Sequence, residues 1–306
     1  MNPFHYPLNG RGVDLLSKRR NLVPYLFLLI PVIVYLIWII GPMMYTFYLS
    51  LTDWNGLITP SFIGLENFER LFRDKVFVLS LINNLKWLLV FTTIPVVLGL
   101  GLAMALNQAI PGEKIFKMSF YMPMVLATVV SGLIWGWLYH PRGGLINFIL
   151  ETTHIVDKGP GWLSDRDIVL WSIIIVGIWR QVGYVMVLYL AGLKSINPQL
   201  IEAAHMDGAS YWRTFWSVIL PLLTPVTTIV MVISVIDSLR AFDLVSIMTR
   251  GGPANASSVL ANFMYIESFN NYKMGYGAAI AVVMLFLSLA FILVYLWRVM
   301  RDEMEY

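Results

Sequence analysis

The sequence predicts an all-α integral membrane protein of six transmembrane helices, with a cytoplasmic helix between the fourth and the fifth. Composition is the first reason: 58% of the 306 residues are apolar and 13% are charged, whereas about 25% is charged in a typical soluble domain. A soluble fold of this make-up could not cover its surface with polar groups. Six apolar stretches near or above the roughly 20 residues that cross a hydrocarbon core are the second reason. Third, the cations Lys18, Arg19 and Arg20 stand just ahead of the first stretch, and Asp53 is the first charge beyond it. A net charge of +3 without a long basic stripe excludes a nucleic-acid binder. The lack of any Cys excludes disulfide scaffolds, thiolate metal sites and Cys nucleophiles.

The spans fall at Leu22–Leu51, Asn84–Asn107, Ile115–Tyr139, Ile168–Lys194, Thr214–Ser238 and Gly277–Arg298. Lengths near 25 residues fit helices rather than barrel strands, because lipid offers backbone amides no partner. The first span is too long for the ~7–15-residue core of a signal peptide, and no Ala-x-Ala site follows it. The cations before it place the N-terminus in the cytoplasm, and six crossings return the C-terminus there. Ten Lys and Arg then lie in short cytoplasmic segments near span ends, against nine spread over much longer external ones. The expected organisation is a cytoplasmic tail (1–21), a first helix (22–51), an external loop with an amphipathic helix (52–83), a core (84–298) and a cytoplasmic tail (299–306). Within the external loop, Leu65–Phe77 carries Leu65, Phe68, Leu71 and Phe72 on one face and is expected to lie flat on the outer surface. Loops 140–167 and 239–276 are read as external as well, with Gly143-Gly144, Gly159-Pro160-Gly161 and Gly251-Gly252-Pro253 as turns.

Between the fourth and fifth spans, Asn197 is a suitable N-cap and Pro198 suits the first helical position. A helix can run from Leu200 to Asp207, with Gly208 as the left-handed residue that ends it and Ser210 capping the next helix. Ala203 and Ala204 leave one side nearly bare, so another backbone could approach, and Glu202 offers an acceptor. On its own this is equally an interfacial linker.

Glu202-Ala203-Ala204 followed by Asp207-Gly208-Ala209 and Val218-Ile219-Leu220-Pro221 resembles the EAA loop of ATP-binding-cassette importer permeases. The chain is similar, more narrowly, to the binding-protein-dependent sugar permeases of the maltose and multiple-sugar type. Phe62-Ile63-Gly64-Leu65-Glu66-Asn67-Phe68, Tyr121-Met122-Pro123, Gly159-Pro160-Gly161-Trp162, Phe242-Asp243-Leu244 and Met274-Gly275-Tyr276-Gly277 support the likeness in order along the chain. Two departures are Val218 for the usual Ile and Arg250 for the usual Gly before Gly251-Gly252-Pro253. The resemblance implies that Glu202, Ala203, Ala204, His205, Met206, Asp207 and Gly208 form a coupling helix seated on a cytoplasmic ATPase. It implies as partners a second homologous permease, two ATPase subunits, an extracytoplasmic solute-binding protein and a sugar substrate. The setting it implies is the inner membrane of a bacterium or archaeon. ATP and Mg would belong to the ATPase and no cofactor to this chain, which has no G-x-x-x-x-G-K-[S/T] loop. The chain is thus expected to be a transport subunit, not an enzyme.

A charge in mid-bilayer is costly and faces a cavity or a partner. Gly177, Arg180, Gln181 and Tyr184 share a face of the fourth span, and Ser234, Asp237 and Ser238 share one of the fifth. These seven are the expected substrate pathway, with Tyr184 or Trp179 stacking on a sugar ring. The competing reading has Arg180 and Asp237 paired with each other or with a partner subunit. Arg180 also admits an anionic sugar. His5, His140, His154 and His205 are scattered, so no metal site is expected. An ion-driven secondary transporter is the rival class; it would show repeats and broken helices with buried acids, and none is evident in the sequence.

Overall fold

A computed structural model describes residues 25–108 and 111–304, with side chains through Trp297. Expectations for the N-terminal tail and its cations, for the start of the first span and for the C-terminal tail's side chains lie outside the described residues. Helix α1 (Tyr25–Ser50) is apolar throughout, and its most apolar stretch buries nothing against the rest of the chain. Pro42 lacks an N–H and crowds the preceding turn, so the helix loosens into a π-turn at Leu36–Ile40, where the Gly41 N–H reaches the Leu36 carbonyl.

The amphipathic segment is shorter and deeper than expected. Helix α2 (Glu66–Arg73) stops because Asp74 turns extended, and its carboxylate accepts the N–H groups of Val76 and Phe77 to cap the next helix. Leu71 is fully buried, and Asn67 Nδ2 donates to the carbonyls of Ser50 and Thr52 at 2.9 and 2.7 Å, so α2 is tucked onto the end of α1. Nearby, the Ser61 side chain and backbone donate to Asp53 and hold its carboxyl below the usual carboxylate range.

Helix α3 (Lys75–Leu106) begins well before the expected Asn84 because of that Asp74 cap. Ahead of Pro95 it loosens, and the Thr92 and Thr93 hydroxyls bond back to the Leu88 and Leu89 carbonyls at 2.8 and 2.7 Å. The expected unbroken third span is two helices, α4 (Glu113–Val125) and α5 (Thr128–Leu138), bent by 100°. Pro123 weakens the last turn of α4, and Leu126 and Ala127 are extended. Helix α6 (Leu145–Thr152) follows, then α7 (Val169–Ser195), within a residue of its expected ends.

Helix α8 (Pro198–Met206) leads to α9 (Tyr211–Leu222) and α10 (Thr224–Leu239), bent by 68° where one straight fifth span was expected. Pro221 and Pro225 flank that bend, and a π-turn at Phe215–Ile219 precedes it. Broken helices are therefore present, contrary to the sequence expectation. Among the described residues, four helices are long and apolar enough to cross a membrane, or up to six if each bent pair counts as one.

The segment after α10 is no free external loop. It forms α11 (Asp243–Met248) and α12 (Leu260–Tyr265) before α13 (Met274–Met304), and Val259 and Leu260 are fully buried. Two amides of α3 hold it: Asn83 donates to the Ala256 and Ser258 carbonyls, while Asn84 donates to the Ser238 carbonyl and accepts the Leu260 N–H at 2.7 Å.

The core is strung along α7. Ile173, Ile174 and Val176 pack with Trp87, Phe91, Leu244 and Val245 at one end, and Val185, Met186 and Tyr189 pack with Ala103, Phe215 and Leu223 at the other. Gly183 lets α4 cross α7 backbone to backbone, as small residues do between membrane helices: a Cβ there would stand 1.9 Å from the Phe120 carbonyl oxygen. Gly183→Ala is expected to cost about 1–3 kcal/mol by overpacking. Gly136→Ala, inside α5 with nothing within 4 Å, should be neutral or stabilising by up to about 1 kcal/mol. Thermal unfolding of the two purified variants checks this, and equal midpoints would contradict it.

Candidate functional site

The segment from Ser195 to Arg213 folds as its local chemistry dictates. The Asn197 side chain accepts the Gln199 N–H at 3.1 Å, and Pro198 occupies the first turn of α8. The helix ends as the Ala209 N–H returns to the Ala204 carbonyl across Gly208, whose φ of +78° is open to Gly and costly for other residues. Ser210 caps α9 by accepting the Arg213 N–H. Half-buried Ile201 and buried Ile196 seat the helix on Phe215 and Ile219. No residue of α8 is buried: Glu202, Ala203, His205, Asp207 and Gly208 are exposed, Met206 is 88% exposed and Ala204 half-buried. The result is a small rigid rod presenting alanines, a carboxylate and a methionine outward.

A second feature lies about midway along α7. A cavity of about 230 Å³ is lined by Gly177, Arg180, Gln181 and Asp237, four of the seven expected pathway residues. Tyr184, Ser234 and Ser238 do not line it. Ser234 is buried with its hydroxyl unpartnered, and Ser238 spends its hydroxyl on the Val235 carbonyl within the helix. Trp179 packs edge-on against Trp135 instead of facing the cavity. Gly177 matters as space, since a Cβ would stand 2.7 Å from the Phe91 ring.

Arg180 pairs with neither acid: among the described residues, no ion pair involves it or Asp237. Its guanidinium reaches the break between α4 and α5, donating to the Leu126 carbonyl at 3.1 Å and the Thr128 hydroxyl at 2.8 Å. It thereby supplies donors that the bent backbone would otherwise lack in a dry interior. Gln181 is 4% exposed and its Nε2 makes no hydrogen bond, although it faces the cavity that Asp237 lines.

The cavity also holds residues that sequence reasoning passed over. Trp87 and Phe91 come from α3, Thr128 from the break, and Arg240, Phe242 and Asp243 from the segment between α10 and α11. Phe242-Asp243 was legible as a family segment, yet it had been placed in an external loop. Trp87 and Phe91 carried no signal beyond hydrophobicity. Among the described residues no group of three His, Asp or Glu could hold a metal ion.

Arg180→Ala is expected to destabilise the fold by roughly 1.5–3 kcal/mol, since it removes charged hydrogen bonds to the half-buried Leu126 carbonyl and Thr128 hydroxyl. Thr128→Val, which removes one acceptor, should cost less. Thermal unfolding measures both, and an unshifted Arg180→Ala midpoint would sink the strut assignment.

Residues 96–301 match the family described as binding-protein-dependent transport system inner membrane component. A probable ABC transporter permease of Pyrococcus horikoshii is 38% identical over 290 residues, 94% of this chain and 99% of that one. The trehalose/maltose transport system permease protein of Thermococcus litoralis is 33% identical, covering 92% and 95%. The fold matches a crystal structure of a bacterial ABC transporter that imports the acidic polysaccharide alginate, with a TM-score of 0.80 over 94% of this chain and 99% of that one at 22% identity. With a matched segment that covers α7, α8 and all of the cavity lining but Trp87 and Phe91, the chain belongs to the binding-protein-dependent inner-membrane permeases of ABC transporters.

Proposed function

We propose that this chain forms half of a sugar-conducting path in an ATP-driven importer, and that α8 is the helix through which ATPase subunits move it. The outward face of α8 carries the reading: in a capped rod seated on Phe215 and Ile219 through Ile201, the side chains of Glu202, Ala203 and Met206 stay exposed, and that face fits a groove on another protein. Gly208 joins that rod to α9, so a pull on α8 acts on α9, α10 and α7 together. The long bent pairs then count as single spans, giving six crossings with both termini cytoplasmic. The division into tails, first helix, external loop and core (84–298) follows that count.

ATP and Mg act on the partner ATPases, and an external binding protein delivers the solute. The cavity holds about 230 Å³, below the ~300–1,000 Å³ of a small-molecule site. A second permease is therefore needed to complete it, and the exposed stretch of α1 over residues 25–39 is one surface on which that permease can lie. Gly177, Arg180, Gln181 and Asp237 face the path; Tyr184, Ser234 and Ser238 act from behind it, as supports. The relative that carries trehalose or maltose favours a saccharide.

Uptake into proteoliposomes of the complete transporter tests the energy source. Transport should stop on ATP depletion with ion gradients clamped, whereas persistence would favour the ion-driven class that broken helices otherwise suit. Gly208→Val forces a β-branched residue into a left-handed conformation, at about 1–2 kcal/mol, and Glu202→Lys reverses the charge on the exposed face. Both are expected to insert and assemble yet lose most ATP-coupled uptake, with ATPase activity no longer stimulated by loaded binding protein. Normal coupling in both variants would overturn the role of α8.

A further inference from the structure

We infer that a second cavity, beside the one midway along α7, is a resting place for one ring of the solute, and that an aromatic track leads to it from the external side. This goes beyond the saccharide reading and the six-span count above and rests on both. The second cavity measures about 320 Å³ and lies between the start of α11, α12 and α13, with Met264, Tyr265 and Met284 in its lining. That volume reaches the ~300–1,000 Å³ of a small-molecule site, which the first cavity does not. Arg240, Phe242 and Asp243 line both cavities, so the turn that carries them is the wall between the two. Backbone bonds fix this wall in place. The Phe242 N–H reaches the Arg240 carbonyl at 2.7 Å, and the Phe242 carbonyl accepts the Ser246 N–H at 2.8 Å.

From the wall, aromatic rings run outward. Phe242 meets Tyr265 at a centroid distance of 5.2 Å, and Tyr265 meets Phe269 at 5.2 Å. Both contacts are tilted, at 49° and 41°, and much of the two outer rings stays open: Tyr265 is 41% exposed and Phe269 53%. Phe269 stands in the π-turn Ile266–Asn270 that follows α12, where the Glu267 carboxylate accepts from the Asn271 amide at 2.8 Å and the Lys273 ammonium at 2.9 Å. Exposed Asn270 and Asn271 come next, so the turn belongs to a polar rim and not to hydrocarbon. A pyranose has a C–H face and an edge of hydroxyls. The face packs on aromatic rings, and the edge bonds to guanidinium donors and carboxylate acceptors. Arg240 and Asp243 offer one of each at the wall, and among the described residues no ion pair engages either. Rings in sequence let a saccharide move from face to face without returning to bulk water, from Phe269 past Tyr265 to Phe242 and the first cavity behind it.

The chain contains no Cys, so one reporter thiol can be placed in each cavity, by Met124→Cys in the first and Met264→Cys in the second. The complete transporter, with Cys-free partner permease and ATPase subunits, is held in nanodiscs without its external binding protein. Labelling by a charged methanethiosulfonate, which needs a hydrated thiol, is timed under ATP turnover so that every state of the cycle is sampled. Only variants with intact ATPase activity are used. Maltotriose, cellotriose, xylotriose, raffinose and trigalacturonate are the probes. Both thiols should label, and at least one probe should slow labelling threefold or more at each. Adding Tyr265→Leu should raise the half-protecting concentration about fivefold at the second cavity and less than twofold at the first, while Tyr265→Phe should change neither. A thiol that never labels in the second cavity, or a probe that protects the first cavity alone, overturns the second site and leaves the saccharide reading standing. Protection of neither thiol by any of the five overturns the saccharide reading itself. An equal shift at both cavities in Tyr265→Leu, or no shift at all, overturns the track.

Discussion

Inside a hydrocarbon layer, a carbonyl that leaves its helix has no water to turn to, and this constraint shapes the molecule more than any apolar contact. The bend between α4 and α5 leaves the Leu126 carbonyl outside both helices, and the guanidinium of Arg180 crosses from α7 to meet it. The descent of the chain between α10 and α12 frees others, which the amides of Asn83 and Asn84 take up. A charge and two amides in the membrane are thus explained first by backbone chemistry. Of these polar struts Arg180 also lines the cavity, together with Thr128 at the break that it holds.

The two candidate sites share one rigid part. Helix α7 is 27 residues long, roughly 40 Å at 1.5 Å per residue. Its middle carries Gly177, Arg180 and Gln181 at the cavity, and its end leads through Asn197 into α8. Between them Gly183 is locked against the backbone of α4, and Gly192 against Val226 and Leu223 at the bend of α9 and α10. A displacement of α8 therefore has little slack to absorb it before it reaches Arg180 and the break that Arg180 holds.

How much of this the sequence discloses depends on the range over which each feature is decided. Helix α8 is decided locally, by Asn197, Pro198, Gly208 and Ser210, and each plays its expected part. Helix α7 is equally legible, because its apolar run is long, is broken only by Ser172 and by Arg180-Gln181, and ends at Lys194-Ser195. The bends are not legible, because hydrophobicity records how long an apolar run is and not the direction it takes; what stabilises the first bend lies over 50 residues away, at Arg180. The same limit leaves Arg240 and Asp243, read as part of the loop at 239–276, off the candidate list although both line the cavity. Helical spacing alone also selects Tyr184 and Ser238, which share helix faces with cavity residues but do not line the cavity. Asp74, whose cap lengthens α3, was readable from its type and position, yet the amphipathic pattern running through it masked the stop.

The asparagine clamp of α3 also bears on how the protein is made. Asn84 finds its acceptor at Ser238, 154 residues later, and its donor at Leu260, 176 residues later. At about 5–20 residues per second, a ribosome needs roughly 8–30 s to deliver the first of these. Throughout that interval the nascent second span must keep two carboxamides solvated, either at the insertion machinery or near a headgroup layer. Full seating of that span therefore waits on emergence of the C-terminal third, and truncation before Ser238 would leave an early helix without its anchorage.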